Sequence, residues 1–167
     1  MRPAVLVLDM IADFTTGRMG SPSSRAVRPA VLRLLRHARS KKIPVLYCQN
    51  PQVSGDPKLT QTDPMLKRQR GEVLIPKHTF DAFFGTNLED LLKEKKADTL
   101  VLTGICTDVS VQHTAAHAFF QGYRIFVPKD ATAASTPQVH GSALRYMART
   151  YGAKITDVNS LLRKLGS

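Results

Sequence analysis

Two continuous aliphatic runs constrain the fold of this 167-residue chain more than any other feature. Ala4–Leu8 reads Ala-Val-Leu-Val-Leu and Thr99–Thr103 reads Thr-Leu-Val-Leu-Thr, and neither run alternates between apolar and polar residues. Such runs are typical of strands that are buried on both faces, so they favour a parallel sheet covered by helices. The first run stops at Asp9, far short of the roughly 20 apolar residues that a membrane-spanning helix requires.

Strand-like and helix-like segments alternate along the rest of the chain. Besides Ala4–Leu8 and Thr99–Thr103, the predicted strands are Pro44–Cys48, Val73–Lys77, Arg124–Val127 and Lys154–Thr156. The predicted helices run from Ser23 or Ser24 to Lys42, from Leu88 to Lys95, from Asp108 to Gln121 and from Gln138 to Tyr151. A short C-terminal helix is also predicted, and it begins at Asp157 or Asn159. This order predicts a three-layer α/β/α, Rossmann-like fold with a six-stranded, largely parallel sheet and helices on both faces. We expect one domain over residues 1–167.

The composition excludes several classes of protein. A hydrophobic content of 43% and a charged content of 22% are those of an ordinary globular chain, so disorder and coiled coil are excluded. Two cysteines, Cys48 and Cys106, imply no framework of disulfides and are typical of a cytoplasmic protein, which is our expectation. We expect no membrane association.

The net charge of +11 raises the alternative of a non-catalytic basic module that binds nucleic acid. For that function the basic residues should form one patch with aromatic residues between them. They are instead spread over residues 25–42, 58–77, 93–96 and 145–164. We therefore regard this alternative as remote and expect no nucleic acid partner.

Reactive side chains follow three of the predicted strands. Asp9 ends the first strand, Lys77 ends the third, and residues 104–110 join the fourth strand to its helix. In open parallel sheets, ligands bind beyond the carboxyl ends of the strands. An acid, an amine and a thiol or hydroxyl at one sheet edge form a candidate nucleophilic site.

The sequence predicts neither a cofactor nor a metal. Residues 104–108 match no glycine-rich phosphate-binding loop. His113 and His117 stand one helical turn apart, but no glutamate lies between them and no third ligand is evident. Such a pair is usually structural.

Three segments together resemble a known family. They are Val7–Phe14 (Val-Leu-Asp-Met-Ile-Ala-Asp-Phe), Pro76–Leu88 (Pro-Lys-His-Thr-Phe-Asp-Ala-Phe-Phe-Gly-Thr-Asn-Leu) and Gly104–Ala115 (Gly-Ile-Cys-Thr-Asp-Val-Ser-Val-Gln-His-Thr-Ala). Their order and content resemble the isochorismatase-like cysteine hydrolases, which include nicotinamidases, N-carbamoylsarcosine amidases and isochorismatases. The resemblance covers nearly the whole chain. It implies a hydrolase for a small molecule, acting through an Asp–Lys–Cys triad and commonly assembled as a dimer or tetramer.

The resemblance also implies the site residues. Asp9 and Lys77 match the family's acid and lysine, whereas the catalytic cysteine falls on Ser110. Cys106 occupies a position that contributes backbone in the family. A cis peptide bond is implied between Ile105 and Cys106, which directs the N–H groups of Cys106 and Ser110 at the oxyanion. By the same resemblance Phe14 and Phe83 are the candidate walls of the substrate pocket.

Two explanations of Ser110 are open. The first is an engineered exchange of cysteine for serine that stops turnover in an enzyme for a small amide or related C–N bond; we favour it and expect the chain as written to be inactive. The second is a natural serine in an isochorismatase-type hydrolase that cleaves a vinyl ether with Asp9 as the acid. The missing Asp-x-His cluster after Gln49 favours a metal-free enzyme in either case.

One geometric difficulty accompanies this site. With strands in the order 3-2-1-4-5-6, the third strand lies two spacings, roughly 10 Å, from the first. We therefore expect the end of the third strand to bend inward at Pro76 so that Lys77 approaches Asp9. Arg68, Arg70 and His78 are available to clamp a substrate carboxylate, but none can be assigned from the sequence.

Overall fold

The computed structural model describes residues 1–53 and 55–166. The strands are β1 (Pro3–Leu8), β2 (Val45–Gln49), β3 (Val73–Pro76), β4 (Thr99–Ile105), β5 (Arg124–Pro128), β6 (Thr132–Ala133) and β7 (Lys154–Thr156). The helices are α1 (Ala12–Thr15), α2 (Pro22–Ala26), α3 (Arg28–Ser40), α4 (Leu88–Glu94), α5 (Gln112–Phe120), α6 (Pro137–Tyr151) and α7 (Val158–Gly166). A 3₁₀ turn spans Pro64–Leu66, and a π-helical turn spans Thr107–Val111.

The strands form one parallel sheet in the order β3-β2-β1-β4-β5-β7, and the two residues of β6 pair with β4. β1 lies at the centre, where Leu8 pairs with Cys48 of β2 on one side and with Gly104 of β4 on the other. The predicted fold class and parallel sheet are therefore confirmed. β6 was not predicted, because two residues are too short for a periodic pattern.

The two faces of β1 contribute to two separate cores. Ala4, Leu6 and Leu8 belong to a core with α4, α5 and α6, whereas Val5 and Val7 belong to a core with α3 and α7. Because successive side chains of a strand point to opposite faces, an aliphatic run without alternation requires helices on both sides. None of the helices within residues 1–53 and 55–166 has both the length and the apolar character needed to cross a membrane.

The first long predicted helix is two helices in the structure. α2 ends at Ala26 and α3 begins at Arg28, with Pro29 in its first turn. Proline has no N–H to donate to the preceding turn, so a helix begins there more readily than it continues. The predicted cap at Ser23 or Ser24 is also wrong, since Ser21 caps α2 by accepting a hydrogen bond from Ser24 N at 3.0 Å.

The helix predicted from Asp108 begins instead as the π-helical turn Thr107–Val111. Val111 N donates to Cys106 O at 3.1 Å, five residues earlier, and regular α-helix starts at Gln112. Turns of this kind are rare and frequently occur at functional sites. This turn leads from the end of β4 directly into α5.

Gly104 allows the two central strands to approach at the edge where this turn begins. Its φ is +119°, and a Cβ atom on it would lie 1.9 Å from the carbonyl oxygen of Leu8. No side chain fits between the backbones of β1 and β4 at this point. The close approach holds the end of β1 against the segment that follows β4.

We expect Gly104→Ala to lower the free energy of unfolding by about 3 kcal/mol or more, since it combines a backbone clash with an unfavourable φ. Gly122→Ala is the matched control, because Gly122 also has a positive φ of +79° but has open space around its Cβ position. The control should cost about 1 kcal/mol. Urea unfolding measures both, and equal losses would contradict the role given to the close approach.

Candidate active site

Asp9 follows β1 directly and is held in an unusual backbone conformation. Its φ is +51°, in the left-handed region, which aspartate tolerates better than most residues. Asp9 N donates to Cys48 O at 2.9 Å, and Asp9 Oδ1 accepts from Asn50 N at 3.2 Å. Since only 4% of the residue is exposed, these contacts fix the carboxylate at the edge of the sheet.

Lys77 reaches Asp9 from β3, two strands away. Lys77 Nζ lies 2.7 Å from Asp9 Oδ2, and the lysine is 2% exposed. Lys77 N still donates to Gln49 O at 3.1 Å, which continues the pairing of β3 with β2. The expected inward bend at Pro76 is therefore not what closes the gap: the long lysine side chain crosses over the end of β2.

Ser110 approaches the same carboxylate from the π-helical turn. Ser110 Oγ donates to Asp9 Oδ2 at 2.5 Å and lies 3.4 Å from Lys77 Nζ. Lys77 Nζ also donates to the carbonyl oxygen of Thr79 at 3.0 Å. The structure thus brings Asp9, Lys77 and Ser110 together, although they are distant in sequence.

Cys106 lies nearby but takes no part in this cluster. Cys106 lines the same cavity, and the peptide bond between Ile105 and Cys106 is cis. Burial raises the pKa of the Cys106 thiol, and the negative charges of Asp108 and Asp9 raise it further. Because the thiolate is the reactive form, this environment disfavours Cys106 as a nucleophile.

A cavity of about 160 Å³ opens beside the three side chains. This volume is close to that of a protein cavity of about 150 Å³ that holds one benzene molecule. Its apolar lining residues are Phe14, Val53, Phe80, Ile105 and Val109. Its remaining lining is polar and comes from Asn50, His78, Thr79 and Cys106 together with Asp9, Lys77 and Ser110.

The expectation that Phe83 forms a cavity wall needs correction. Phe83 is 5% exposed and belongs to the core, where its ring stacks on His117 with centroids 4.6 Å apart. Phe80 lines the cavity instead. The segment between Lys77 and α4 has no regular secondary structure, so no periodicity in the sequence indicated which phenylalanine faces inward. Phe14, in contrast, does line the cavity.

Sequence reasoning also missed Thr79 and Asn50, which hold Lys77 and Asp9. Their contacts are made by the backbone: the Thr79 carbonyl accepts from Lys77 Nζ, and the Asn50 amide donates to Asp9 Oδ1. Every residue type except proline carries both groups, so no pattern of side chains marks such contacts. No signal in the sequence could have found them.

The histidine pair has separate partners in the structure. His113 Nδ1 lies 2.7 Å from the carbonyl oxygen of Val109, and His117 Nδ1 lies 2.7 Å from Asp81 Oδ2. Within the described ranges, no group of three or more His, Cys, Asp or Glu side chains is arranged to hold a metal ion. A metal-free site stays a prediction from the sequence.

We expect Lys77→Met to lower the free energy of unfolding by about 3–5 kcal/mol, because it leaves the buried Asp9 carboxylate without a counter-charge. Adding Asp9→Asn should restore part of this loss. The control is Lys93→Met, which removes an exposed pair with Glu89 and should have a much smaller effect, because exposed ion pairs add little stability. Urea unfolding tests all three variants, and a Lys77→Met loss as small as the control would refute the energetic argument.

Comparison with curated proteins finds relatives that match half of this chain or more. The uncharacterized isochorismatase family protein PncA of Bacillus subtilis (strain 168) is 41% identical over 83 residues, which are 50% of this chain and 45% of that protein. N-carbamoylsarcosine amidase of Arthrobacter sp is 29% identical over 163 residues, which cover 83% of this chain and 62% of that protein. The chain thus spans less than two thirds of the length of either relative.

A solved structure and a family model agree with these relatives. The crystal structure of N-carbamoylsarcosine amidase from Thermoplasma acidophilum has a TM-score of 0.87 and 30% sequence identity, over 95% of this chain and 97% of that one. The family model of the isochorismatase domain matches residues 3–160. The chain therefore belongs to the isochorismatase family, whose members are hydrolytic enzymes that include amidases.

Proposed function

We propose that this protein hydrolyses a small amide or a related C–N bond at the Asp9–Lys77–Ser110 cluster, with position 110 supplying the nucleophile. One observation carries the proposal: a single carboxylate oxygen of Asp9 accepts hydrogen bonds from both Ser110 Oγ and Lys77 Nζ. A base in contact with a hydroxyl or thiol at the wall of a small cavity is the arrangement that nucleophilic catalysis requires. The amidases among the relatives support this reaction class.

The proposed reaction uses a thiol at position 110. Asp9 accepts the thiol proton, and the Lys77 ammonium stabilises the thiolate. The thiolate attacks the carbonyl carbon, and backbone N–H groups of Cys106 and Ser110 stabilise the oxyanion. The C–N bond breaks as the amine or ammonia takes up the proton, and water then cleaves the thioester to release the acid and regenerate the thiol.

Ser110 explains why we expect little amidase activity from the chain as written. A thiol is a few per cent ionised at neutral pH, whereas a hydroxyl has no comparable fraction of anion. Asp9 is a weak base toward a hydroxyl, even though Ser110 Oγ lies only 2.5 Å from Asp9 Oδ2. The geometry of the site is thus retained while the nucleophile is poor. In our proposal the serine is an inactivating replacement for cysteine.

Ser110→Cys should raise the rate of ammonia release from small amides by at least about 100-fold over the chain as written, because a thiol supplies an ionised fraction at neutral pH that a hydroxyl lacks. A coupled ammonia assay over a panel of short aliphatic and aromatic amides measures it. Adding Asp9→Asn to this variant should abolish the gain. Ser40→Cys, which places a thiol on the exposed end of α3, is the matched control and should show none.

The absence of activity from Ser110→Cys on every amide, with the variant folded, would refute the proposed reaction. Folding is checked by the same urea transition as for the unaltered chain. A gain that survives Asp9→Asn would show that a different base operates.

A second candidate function rests on the hydroxyl at position 110. An isochorismatase-type hydrolase that protonates a vinyl ether through Asp9 needs no thiol, so a natural Ser110 fits it. The unaltered chain should then release pyruvate from isochorismate, and Asp9→Asn should abolish the release. Activity toward isochorismate without any gain in Ser110→Cys would favour this function over the first.

Cellular location and assembly are further proposals. A cytoplasmic location agrees with the free cysteines Cys48 and Cys106. A dimer or tetramer is expected from the family resemblance, and sedimentation of the purified protein tests it. A small molecule is the proposed substrate, and nucleic acid is not expected to bind.

A further inference from the structure

The charged groups of the cavity neutralise one another. Among the described residues that line it, the ionisable ones are Asp9, Lys77, His78 and Cys106. Asp9 and Lys77 form an ion pair at 2.7 Å and are both almost completely buried. Burial raises the pKa of the Cys106 thiol, which keeps it uncharged. His78 is exposed at the rim, so the interior offers no unpaired cation from the described residues.

Arg68 and Arg70, which were available from the sequence as carboxylate clamps but not assigned, lie outside the cavity lining. Arg68 donates through Nη1 to the carbonyl oxygen of Glu72 at 3.0 Å and lines a different groove, beside Leu74. Arg70 lines a third groove, next to Arg39. In residues 1–53 and 55–166, no arginine contributes to the lining of the cavity.

Because much of the lining is apolar, the lack of an unpaired cation among the described residues disfavours a negatively charged ligand. Five of the lining residues are apolar (Phe14, Val53, Phe80, Ile105 and Val109), and the cavity volume is about 160 Å³. A carboxylate placed among such side chains loses its hydration and gains no counter-charge, which is strongly unfavourable. An uncharged aliphatic or aromatic group of the same size gains from burial against the same walls.

We infer that the site selects uncharged amides with a compact apolar acyl group and rejects amides that carry a carboxylate. The inference rests on the proposed function for the identity of the bond that is cleaved. It separates this protein from relatives that are N-carbamoylsarcosine amidases, because N-carbamoylsarcosine is itself a carboxylate. Specificity in this chain is set by the acyl side of the substrate, which lies against the apolar walls.

Direct binding to the unaltered chain tests the inference without turnover. 4-Methylpentanamide and succinamate have nearly the same shape and differ in an isopropyl group against a carboxylate. Titration calorimetry should show the uncharged amide binding at least about tenfold more tightly, the least that an unpaired buried charge costs. Equal binding, tighter binding of succinamate, or no binding of 4-methylpentanamide would each overturn the inference.

Adding a cation at the cavity should reverse the preference. Phe80 lines the cavity but is 61% exposed, so Phe80→Arg can be accommodated at the rim. It should tighten succinamate binding at least about tenfold and weaken binding of 4-methylpentanamide. Phe120→Arg is the matched control: Phe120 is 78% exposed and lies outside the cavity lining. An equal effect of both variants would show that overall charge decides, and would overturn the inference.

The two proposals fail in different ways. If Ser110→Cys hydrolyses 4-methylpentanamide and not succinamate, both are supported. If it hydrolyses both amides with similar kcat/KM, the proposed amidase function holds and the inference about substrate charge is wrong. If it hydrolyses neither while the binding preference of the unaltered chain is as expected, the proposed function fails and the inference about ligand class is retained.

Discussion

The buried ion pair between Asp9 and Lys77 is the interaction on which the rest of the structure depends. Two charges removed from water are tolerated only when each has a full set of partners. Asp9 obtains Lys77, Ser110 and the amide of Asn50, and Lys77 also obtains the carbonyl of Thr79. The pair and its partners come from the residue after β1, the segments after β2 and β3, and the turn after β4. The pair therefore ties together four separate parts of one sheet edge.

This arrangement distinguishes two residues that composition alone would confuse. A search for a reactive thiol would select Cys106, yet burial raises the pKa of that thiol. Cys106 is a lining residue of the cavity and not a member of the Asp9–Lys77–Ser110 cluster. Ser110 lies one π-helical turn further on and is the residue in contact with Asp9. Position in the fold, rather than intrinsic reactivity, indicates where the nucleophile belongs. For that reason a serine at this position is consistent with a site built for a cysteine.

The net charge of the whole chain does not describe the charge inside the cavity. The net charge of +11 describes the molecule as a whole, and charges on the surface act over a distance that salt limits to about 10 Å. Among the described residues that line the cavity, the buried charges of Asp9 and Lys77 form an ion pair and cancel. A positive surface can raise the local concentration of anions, whereas acceptance of a ligand depends on whether its charge finds a partner after it loses water.

The sequence by itself determined the parallel sheet, because runs such as Ala4–Leu8 can be buried only between two layers of helices. It also placed Asp9, Lys77 and residues 104–110 at strand ends as candidates, while the choice of Ser110 within that segment followed from the family resemblance. Only the tertiary structure decided that Lys77 crosses β2 and that Phe80 rather than Phe83 faces the cavity. The reason is physical: periodicity reports which face of a regular element is buried, whereas contacts in irregular segments depend on neighbours that the fold brings from distant parts of the chain.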